Sequence, residues 1–239
     1  MTFHARLTAV AGLIAIASLP LKAAPITIGA SSGTLSASVT FDTSGTDLIV
    51  TLTNTSLNDA LVPIDILTGV FFDVSGPALV LTRTSAIVPV GSSVFYGTTD
   101  PGGVVGGEWA YLGGLSGPGG RDYGISSSGL GLFGPGDVFP GSDLQPPASP
   151  DGLQYGITSA GDNLATGNAP VTGGNALIKN QVAFTLSGLP SGFDPSTMIG
   201  NILFQYGTDL SEPSFPEPGS MTLLAAGAAL LLRRARFSR

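Results

Sequence analysis

The stretch TLSASVTF at residues 34–41, followed by LIVTLTN at residues 48–54, alternates apolar and small polar side chains throughout. Alternation with a period of two places every second side chain on the same face of an extended chain. The link DTSGTD at residues 42–47 is rich in turn-forming residues. The pattern predicts an antiparallel hairpin with one face in water. Its inward side chains are Leu35, Ala37, Val39, Phe41, Leu48, Val50 and Leu52.

Strand signals of the same kind recur on both sides of this hairpin. They cover residues 64–74, 78–83, 87–88, 93–96, 178–186 and 198–206, and they are separated by Gly- and Pro-rich turns. Short strands at a spacing of about 8–12 residues are typical of sandwiches and barrels. We therefore predict an all-β fold, an antiparallel β-sandwich of Greek-key or jelly-roll type spanning residues 24–215.

Residues 98–150 have a different composition, with many glycines and short apolar islands. Aromatic residues at 109, 111, 123, 133 and 139 give this stretch side chains to bury, so we predict an ordered, loop-rich insertion packed on the sandwich. The heptapeptide YGISSSG at residues 123–129 is echoed by YGITSAG at residues 155–161. One echo does not define a repeat architecture, and we interpret it as two strand ends with similar turns.

The charge of the domain excludes one class of partner. Residues 24–215 contain fifteen acidic residues and only three basic ones, Arg83, Arg121 and Lys179. No basic patch can form to neutralise phosphates, so a nucleic-acid partner is not expected. The composition fits a soluble exported protein or one that gathers cations.

Several catalytic classes are excluded by residues that the chain lacks. It has no cysteine, and its single histidine, His4, lies in the N-terminal segment that we predict to be removed. Thiolate and histidine metal sites and Ser-His-Asp or Cys-His catalysis therefore cannot form in the mature domain. Two-carboxylate glycoside hydrolysis needs no histidine. Glu108, beside Trp109, is its candidate acid, whereas Glu212 lies in the C-terminal tail and is poorly placed for catalysis. We expect a protein that is not an enzyme and rank hydrolysis third among the functions.

Binding hypotheses rest on three groups of residues. Aromatic rings in long loops can stack on sugars, which makes Trp109, Tyr111 and Tyr123 candidates for a carbohydrate site. A row of threonines on one strand, as in some ice-binding surfaces, is better explained by strand propensity. Oxygen ligands in turns could hold calcium, although the EF-hand spacing is absent and no cofactor is expected. The threonines are Thr51, Thr53 and Thr55, and the turn acids are Asp137, Asp143 and Asp151.

The N-terminus has the three parts of a secretory signal peptide. Arg6 supplies a basic first part, residues 9–19 form an apolar core of eleven residues, and Ala23 and Ala24 provide small residues for cleavage. The core is too short for a transmembrane helix. We predict a signal peptide at residues 1–23, cleaved after Ala23, and export by the general secretion machinery.

The C-terminus carries a turn-prone box, an apolar run and a basic cluster, in that order. The apolar run at residues 221–232 has twelve residues, or about 18 Å as a helix, and is a marginal anchor for a bilayer that needs about 20 residues. The box, which we call the C-terminal box, is Pro216, Glu217, Pro218, Gly219 and Ser220, and the basic cluster is Arg233, Arg234 and Arg236.

The string FPEPGSMTLLAAGAALLLRRAR resembles the PEP-CTERM sorting signal of Gram-negative bacteria. The runs TLTNTSLNDALVPIDILTGVFFDV, YGISSSGLGLFGPGDVFPG and SPDGLQYGI are similar to a class of exosortase-dependent surface proteins. The resemblance implies that residues 216–239 are recognised, and processed near the box, by a membrane-embedded exosortase. It implies transient anchoring in the inner membrane through residues 221–232 and delivery to the cell surface or the extracellular matrix. It also implies a non-enzymatic structural or adhesive role linked to extracellular polysaccharide or biofilm, with carbohydrate binding as the alternative.

Overall fold

The computed structural model describes residues 23–163, 171 and 175–217. The terminal hydrophobic helices expected for the two targeting signals lie outside these residues. The described residues form thirteen strands and only short helical turns, which confirms the all-β class. The strands are β1 Ile26–Ser32, β2 Leu35–Ser44, β3 Asp47–Asn54, β4 Leu67–Val74, β5 Thr82–Ile87, β6 Ser93–Phe95, β7 Ala110–Gly113, β8 Tyr123–Ser126, β9 Ile157–Thr158, β10 Leu177–Lys179, β11 Gln181–Ser187, β12 Ile199–Tyr206 and β13 Ser214–Pro216. The helical turns are the 3-10 turns Pro63–Asp65, Gly106–Glu108, Pro118–Gly120 and Pro135–Asp137 and the α-helix Pro195–Met198.

The first sheet has the antiparallel order β1-β2-β3-β11-β5 and contains the predicted hairpin. All seven side chains predicted to face inward from β2 and β3 are buried, so this prediction is confirmed. The strands run farther into the link than expected, because Ser44 pairs with Asp47. Only Gly45 and Thr46 remain as the turn, and Gly45 adopts a φ of +62° that favours glycine.

The second sheet has the order β13-β12-β4-β9-β10-β6, with β8 pairing with β4 and β7 pairing with β8. Its pairs are antiparallel except for the parallel pair β9-β10. Strands β7 and β8 come from residues 98–150. The rest of that stretch consists of loops and short 3-10 turns, but the stretch supplies two strands to the second sheet and does not only pack on it.

Both copies of the heptapeptide echo supply strands to the same side of β4. Strand β8 pairs with Gly69 through Phe72, and β9 pairs with Leu67, so the two strands follow each other along β4. A Cβ atom on Gly124 would lie 2.7 Å from the ring of Phe71, and one on Gly156 would lie 2.4 Å from Cγ2 of Ile66. The shared glycine therefore allows each copy to approach closely the side chains of β4 or of the residue just before it.

One cluster of buried apolar side chains draws members from both sheets. Phe41 of the first sheet meets Phe72 of the second with ring centroids 5.1 Å apart. Trp109, from the turn before β7, lies 4.9 Å from Phe184 of β11, and Phe139 lies 5.4 Å from the same ring. Burying each such ring contributes about 1.5–3 kcal/mol, so residues 98–150 help to hold the two sheets together.

Two predicted strands have different boundaries in the structure. The segments at 78–83 and 87–88 are replaced by the single strand β5, and residues 78–81 lie outside the sheets. The predicted strand at 178–186 is divided at Asn180, which has a φ of +84°. The chain passes there from β10 in the second sheet to β11 in the first. Val182, Phe184 and Leu186 are buried as predicted.

Both ends of the described domain lie at the same end of the two sheets, which we call the exit pole. Strand β1 starts opposite Phe41, close to the β2–β3 turn. Ala23 and Ala24 line a cavity with residues of that turn and with residues 189–196, which lead into β12. Strand β13 runs antiparallel to β12, and its last residue heads back towards the start of β12. The opposite ends of the sheets are joined by the Tyr206 hydroxyl, which donates to the carbonyl of Ser36 at 2.9 Å.

Candidate functional site

The first two residues of the C-terminal box belong to the folded domain. Pro216 is the last residue of β13 and pairs with Leu203 of β12. The backbone N–H of Glu217 donates to the carbonyl of Ile202 at 3.0 Å, which continues the ladder by one residue. Proline is tolerated here because β13 is an edge strand that needs no donor on its outer side.

Phe215 attaches this strand to the core. Its side chain is 6% exposed. Its ring stacks on Tyr206 with centroids 5.6 Å apart and lies 6.0 Å from Phe204. The strand before the box is therefore held by side-chain burial as well as by backbone hydrogen bonds.

The Glu217 carboxylate is bound by the domain. Its Oε1 accepts the backbone N–H of Asn201 at 2.9 Å. Asn201 has a φ of +54° and lies where the register between β12 and β4 shifts, between Gly200 and Leu203. Such a bulge takes a residue out of the ladder, and asparagine tolerates the left-handed conformation better than most residues. The bulge thus turns the Asn201 N–H towards Glu217.

A buried arginine supports the bulge. Arg121 donates from Nε to the Asn201 carbonyl at 2.7 Å and from Nη2 to Asn201 Oδ1 at 3.0 Å. The Asn201 Nδ2 donates to Asp73 Oδ2 at 2.6 Å. Burial lowers the pKa of Arg121, and the negative charges of Asp73 and Glu217 partly oppose that shift. We call Asp73, Arg121, Asn201 and Glu217 the box clamp.

The box clamp is difficult to predict from the sequence, because its members are far apart in the chain. The available signal was Arg121, one of three basic residues in an acidic domain. A rare arginine among carboxylates is a candidate for a buried charge pair. The bulge that turns Asn201 towards the box depends on strand register, which the sequence pattern does not specify.

The remaining predicted targeting residues fall into two groups. Ala23 and Ala24 are described and lie at the exit pole. Among the described residues, no helix has the length and apolarity to cross a bilayer. Pro218, Gly219, Ser220, Arg233, Arg234 and Arg236 lie outside the described residues.

The expected aromatic platform is a part of the core. Trp109 has 0% exposure, and Tyr111 and Tyr123 are 3% exposed each. A sugar-stacking platform needs an exposed ring face, so the prediction of stacking on these three rings is wrong. The three rings are buried because their residues lie in or next to β7 and β8, which pack against the first sheet.

Tyr111 and Tyr123 nevertheless line a cleft of about 500 Å³ between β7 and residues 78–81, which we call the side cleft. The Tyr123 hydroxyl accepts the N–H of Leu79 at 2.8 Å. The Tyr111 hydroxyl has no hydrogen-bond partner within the described part of the chain, and burial raises its pKa, so it stays neutral. Arg83, Asp122 and aliphatic side chains complete the walls. The cleft thus offers polar groups beside apolar surface, which suits a small polyhydroxylated ligand.

The two candidate catalytic glutamates bind backbone groups. Oε1 of Glu108 accepts the N–H groups of Leu144 at 2.6 Å and Gln145 at 2.8 Å. Burial raises the pKa of Glu108, and these two hydrogen bonds oppose the shift. Glu212 Oε2 accepts the N–H of Asp209 at 2.9 Å. Both carboxylates therefore hold loop backbone in place, a structural role that gives no support to hydrolysis.

The turn acids proposed for calcium do not converge. Asp137 accepts the N–H of Gly134 at 2.8 Å and lies 3.8 Å from Arg83, while Asp143 and Asp151 are exposed. In the part of the chain that the structure describes, no three metal-binding side chains come together.

The threonine row on β3 is part of a wider surface. Thr51 pairs with Thr40 of β2, and Thr53 pairs with Ser38 of β2 and Gln181 of β11. Many hydroxyls bond to one another, as Thr27 and Thr40 do at 2.8 Å and Ser36 and Thr55 do at 2.7 Å. The members of this hydroxyl face are Thr27, Ser31, Ser36, Ser38, Thr40, Thr51, Thr53, Thr55, Thr185 and Ser187.

Comparison of the chain with protein-family models, with curated proteins and with solved structures found no match. The interpretation of its function therefore depends on its own residues and on the geometry described above.

Proposed function

We propose that this chain is an exported protein that an exosortase sorts, through residues 216–239, to the cell surface or the extracellular matrix. Its β domain has a non-enzymatic structural or adhesive role there, associated with extracellular polysaccharide. We also propose that the two sheets form an antiparallel sandwich of Greek-key or jelly-roll type. The common core of the two sheets supports this arrangement.

The observation that carries the proposal is the position of the C-terminal box. The last strand of the domain ends at Pro216, inside the box, and the box residue Glu217 is bound at the exit pole. Only three residues then separate Glu217 from Met221, the start of the apolar run, and the four steps from Glu217 to Met221 span at most about 14 Å. A membrane-embedded enzyme that reads the box would therefore find the domain directly beside the bilayer.

The shared exit pole also supports display at a surface. Before processing, the predicted signal peptide and the predicted sorting signal are both attached at this pole, next to Ala23 and Glu217. The opposite pole therefore faces away from the membrane. Exposed apolar side chains lie on the loops of that pole, among them Leu57, Leu61 and Leu210.

Cell fractionation with and without the exosortase tests the sorting proposal. We expect surface or medium material only when the enzyme is present, and retention in the inner membrane when it is absent. A variant with Arg233, Arg234 and Arg236 replaced by glutamine should also be retained. An equal distribution with and without the enzyme would contradict the proposal.

A second candidate function is saccharide binding in the side cleft, and the exposed Asp122 in its wall favours it. A carboxylate beside apolar surface can accept hydrogen bonds from the hydroxyls of a sugar. Asp122→Ala removes that acceptor and should weaken saccharide binding about tenfold, as expected for the loss of one hydrogen bond of about 1.4 kcal/mol. Asp143→Ala is the matched control, because Asp143 is exposed and outside the cleft. Binding on a glycan array that is unchanged in Asp122→Ala would remove the cleft from consideration.

Calcium assistance and hydrolysis have direct tests as well. A rise in melting temperature with millimolar calcium would support a metal role, and an unchanged melting temperature would reject it. Hydrolytic turnover of polysaccharide by the purified domain would overturn the non-enzymatic proposal.

A further inference from the structure

We propose that β13 and Glu217 remain in the mature protein and that processing cuts a peptide bond on the C-terminal side of Glu217. This inference rests on the proposed sorting function and adds the position of the cut. In the hydrolytic form of the step, the carbonyl carbon of the scissile bond takes an oxygen from water as its C–N bond breaks. The domain then ends in a carboxylate, and the released signal begins with an amine.

The backbone of residues 214–217 is already engaged. Proteolytic enzymes bind their substrates in extended form through backbone groups, as in strand addition. Here the same groups pair with β12, from Gln205 opposite Ser214 to Ile202 opposite Glu217. A cut within this segment requires β13 to leave the sheet first, and local opening of that kind limits proteolysis of folded chains.

Side chains on both sides of Pro216 add to this protection. Phe215 is buried against Tyr206 and Phe204. The Glu217 carboxylate accepts the N–H of Asn201 in the box clamp. A cut before Glu217 would remove this acceptor and expose the Asn201 N–H of the bulge to solvent. A cut before Ser214 would uncover the rings that Phe215 covers.

The test is the C-terminal residue of the exported protein, determined by intact mass and by mass spectrometry of its terminal peptide. We expect a chain that ends at Glu217 or later and has lost Arg239. A mature chain that ends at Pro216 or earlier would overturn the inference and leave the sorting proposal intact. Retention of Arg239 would contradict the sorting proposal instead.

A pair of variants tests whether the docking of β13 sets the position of the cut. Phe215→Ala weakens the strand without changing the C-terminal box, and it should increase the share of chains that end before Glu217 by about tenfold or more. Phe193→Ala is the control, because Phe193 is 7% exposed and outside β13. An equal increase in both variants, or in neither, would contradict the role of β13.

Limited proteolysis of the purified full chain by a nonspecific protease tests the docking of β13 without cellular processing. The protected core should end at Glu217 or later in the natural chain and earlier in Phe215→Ala. A natural core that ends before Ser214 would contradict the docking of β13.

Discussion

Replacement of Glu108 distinguishes a structural carboxylate from a catalytic one. In the structure, one oxygen of Glu108 accepts two backbone N–H groups, those of Leu144 and Gln145. Glu108→Ala leaves both donors without this acceptor. Glu108→Gln keeps a carbonyl oxygen at the same place, but without the charge.

The expected magnitudes follow from these two bonds. Each donor that loses its acceptor in a partly buried loop costs about 1–2 kcal/mol, so Glu108→Ala should lower the free energy of unfolding by about 2–4 kcal/mol. For a domain of this size, that corresponds to a fall in melting temperature of about 4–16 °C. Glu108→Gln should change the free energy by less than about 1 kcal/mol, because the weaker hydrogen bonds are offset by removal of a buried charge.

The contribution of Glu108 to stability depends on pH with a defined sign. Burial raises the pKa of Glu108 above the ordinary value of 4.5, so the folded chain binds this proton more tightly than the unfolded chain does. The contribution of Glu108 to stability therefore increases as the pH falls through the raised pKa towards 4.5, and it is lost as the pH rises through that range. Relative to Glu108→Gln, the natural chain should gain stability on acidification.

Thermal and urea unfolding between pH 7 and pH 4 measure these differences. Asp143→Asn is the control, because Asp143 is an exposed carboxylate of the same loop region. A Glu108→Ala variant as stable as the natural chain would refute the structural role. A natural chain that loses stability relative to Glu108→Gln on acidification would refute the sign of the pKa shift.

Three further substitutions, together with one control substitution, test other parts of the structure by urea unfolding. Gly107→Ala should destabilise the domain by more than about 2 kcal/mol, because the new Cβ would lie 2.0 Å from the carbonyl oxygen of Ser142. The control Gly200→Ala has open space around it and should change the free energy of unfolding little. Equal effects of the two substitutions would contradict the close packing at Gly107. Phe215→Ala should cost about 2–4 kcal/mol, and a smaller loss would mean that β13 is weakly docked. Tyr111→Phe should leave the free energy unchanged or raise it by about 1 kcal/mol, and a clear loss would indicate a partner for its hydroxyl.

The sequence predicted the parts of the fold in which one face of a strand is buried. Alternation in β2 and β3 identified the hairpin and its inward apolar side chains, because a period of two specifies both the strand and its face. The inward residues of β11 were identified for the same reason. These patterns are local, so they can be recognised without knowledge of the partner strands.

The sequence patterns did not predict structural features that depend on residues far apart in the chain. The aromatic residues at 109, 111 and 123 suggested an exposed platform, and only their pairing next to β4 shows that the rings are buried. Asn180 ends one strand and starts another in the other sheet, although the apolar pattern continues across it. The box clamp joins Asp73, Arg121, Asn201 and Glu217, and apart from the rarity of the arginine, nothing in the sequence relates these positions.

The most direct test of the proposed function is the mass of the chain recovered from the surface or the medium of cells that contain the exosortase. We predict a protein that begins at Ala24, ends between Glu217 and Ser220, and is missing from cells without the enzyme. Surface material that still carries Arg239 would contradict the sorting function.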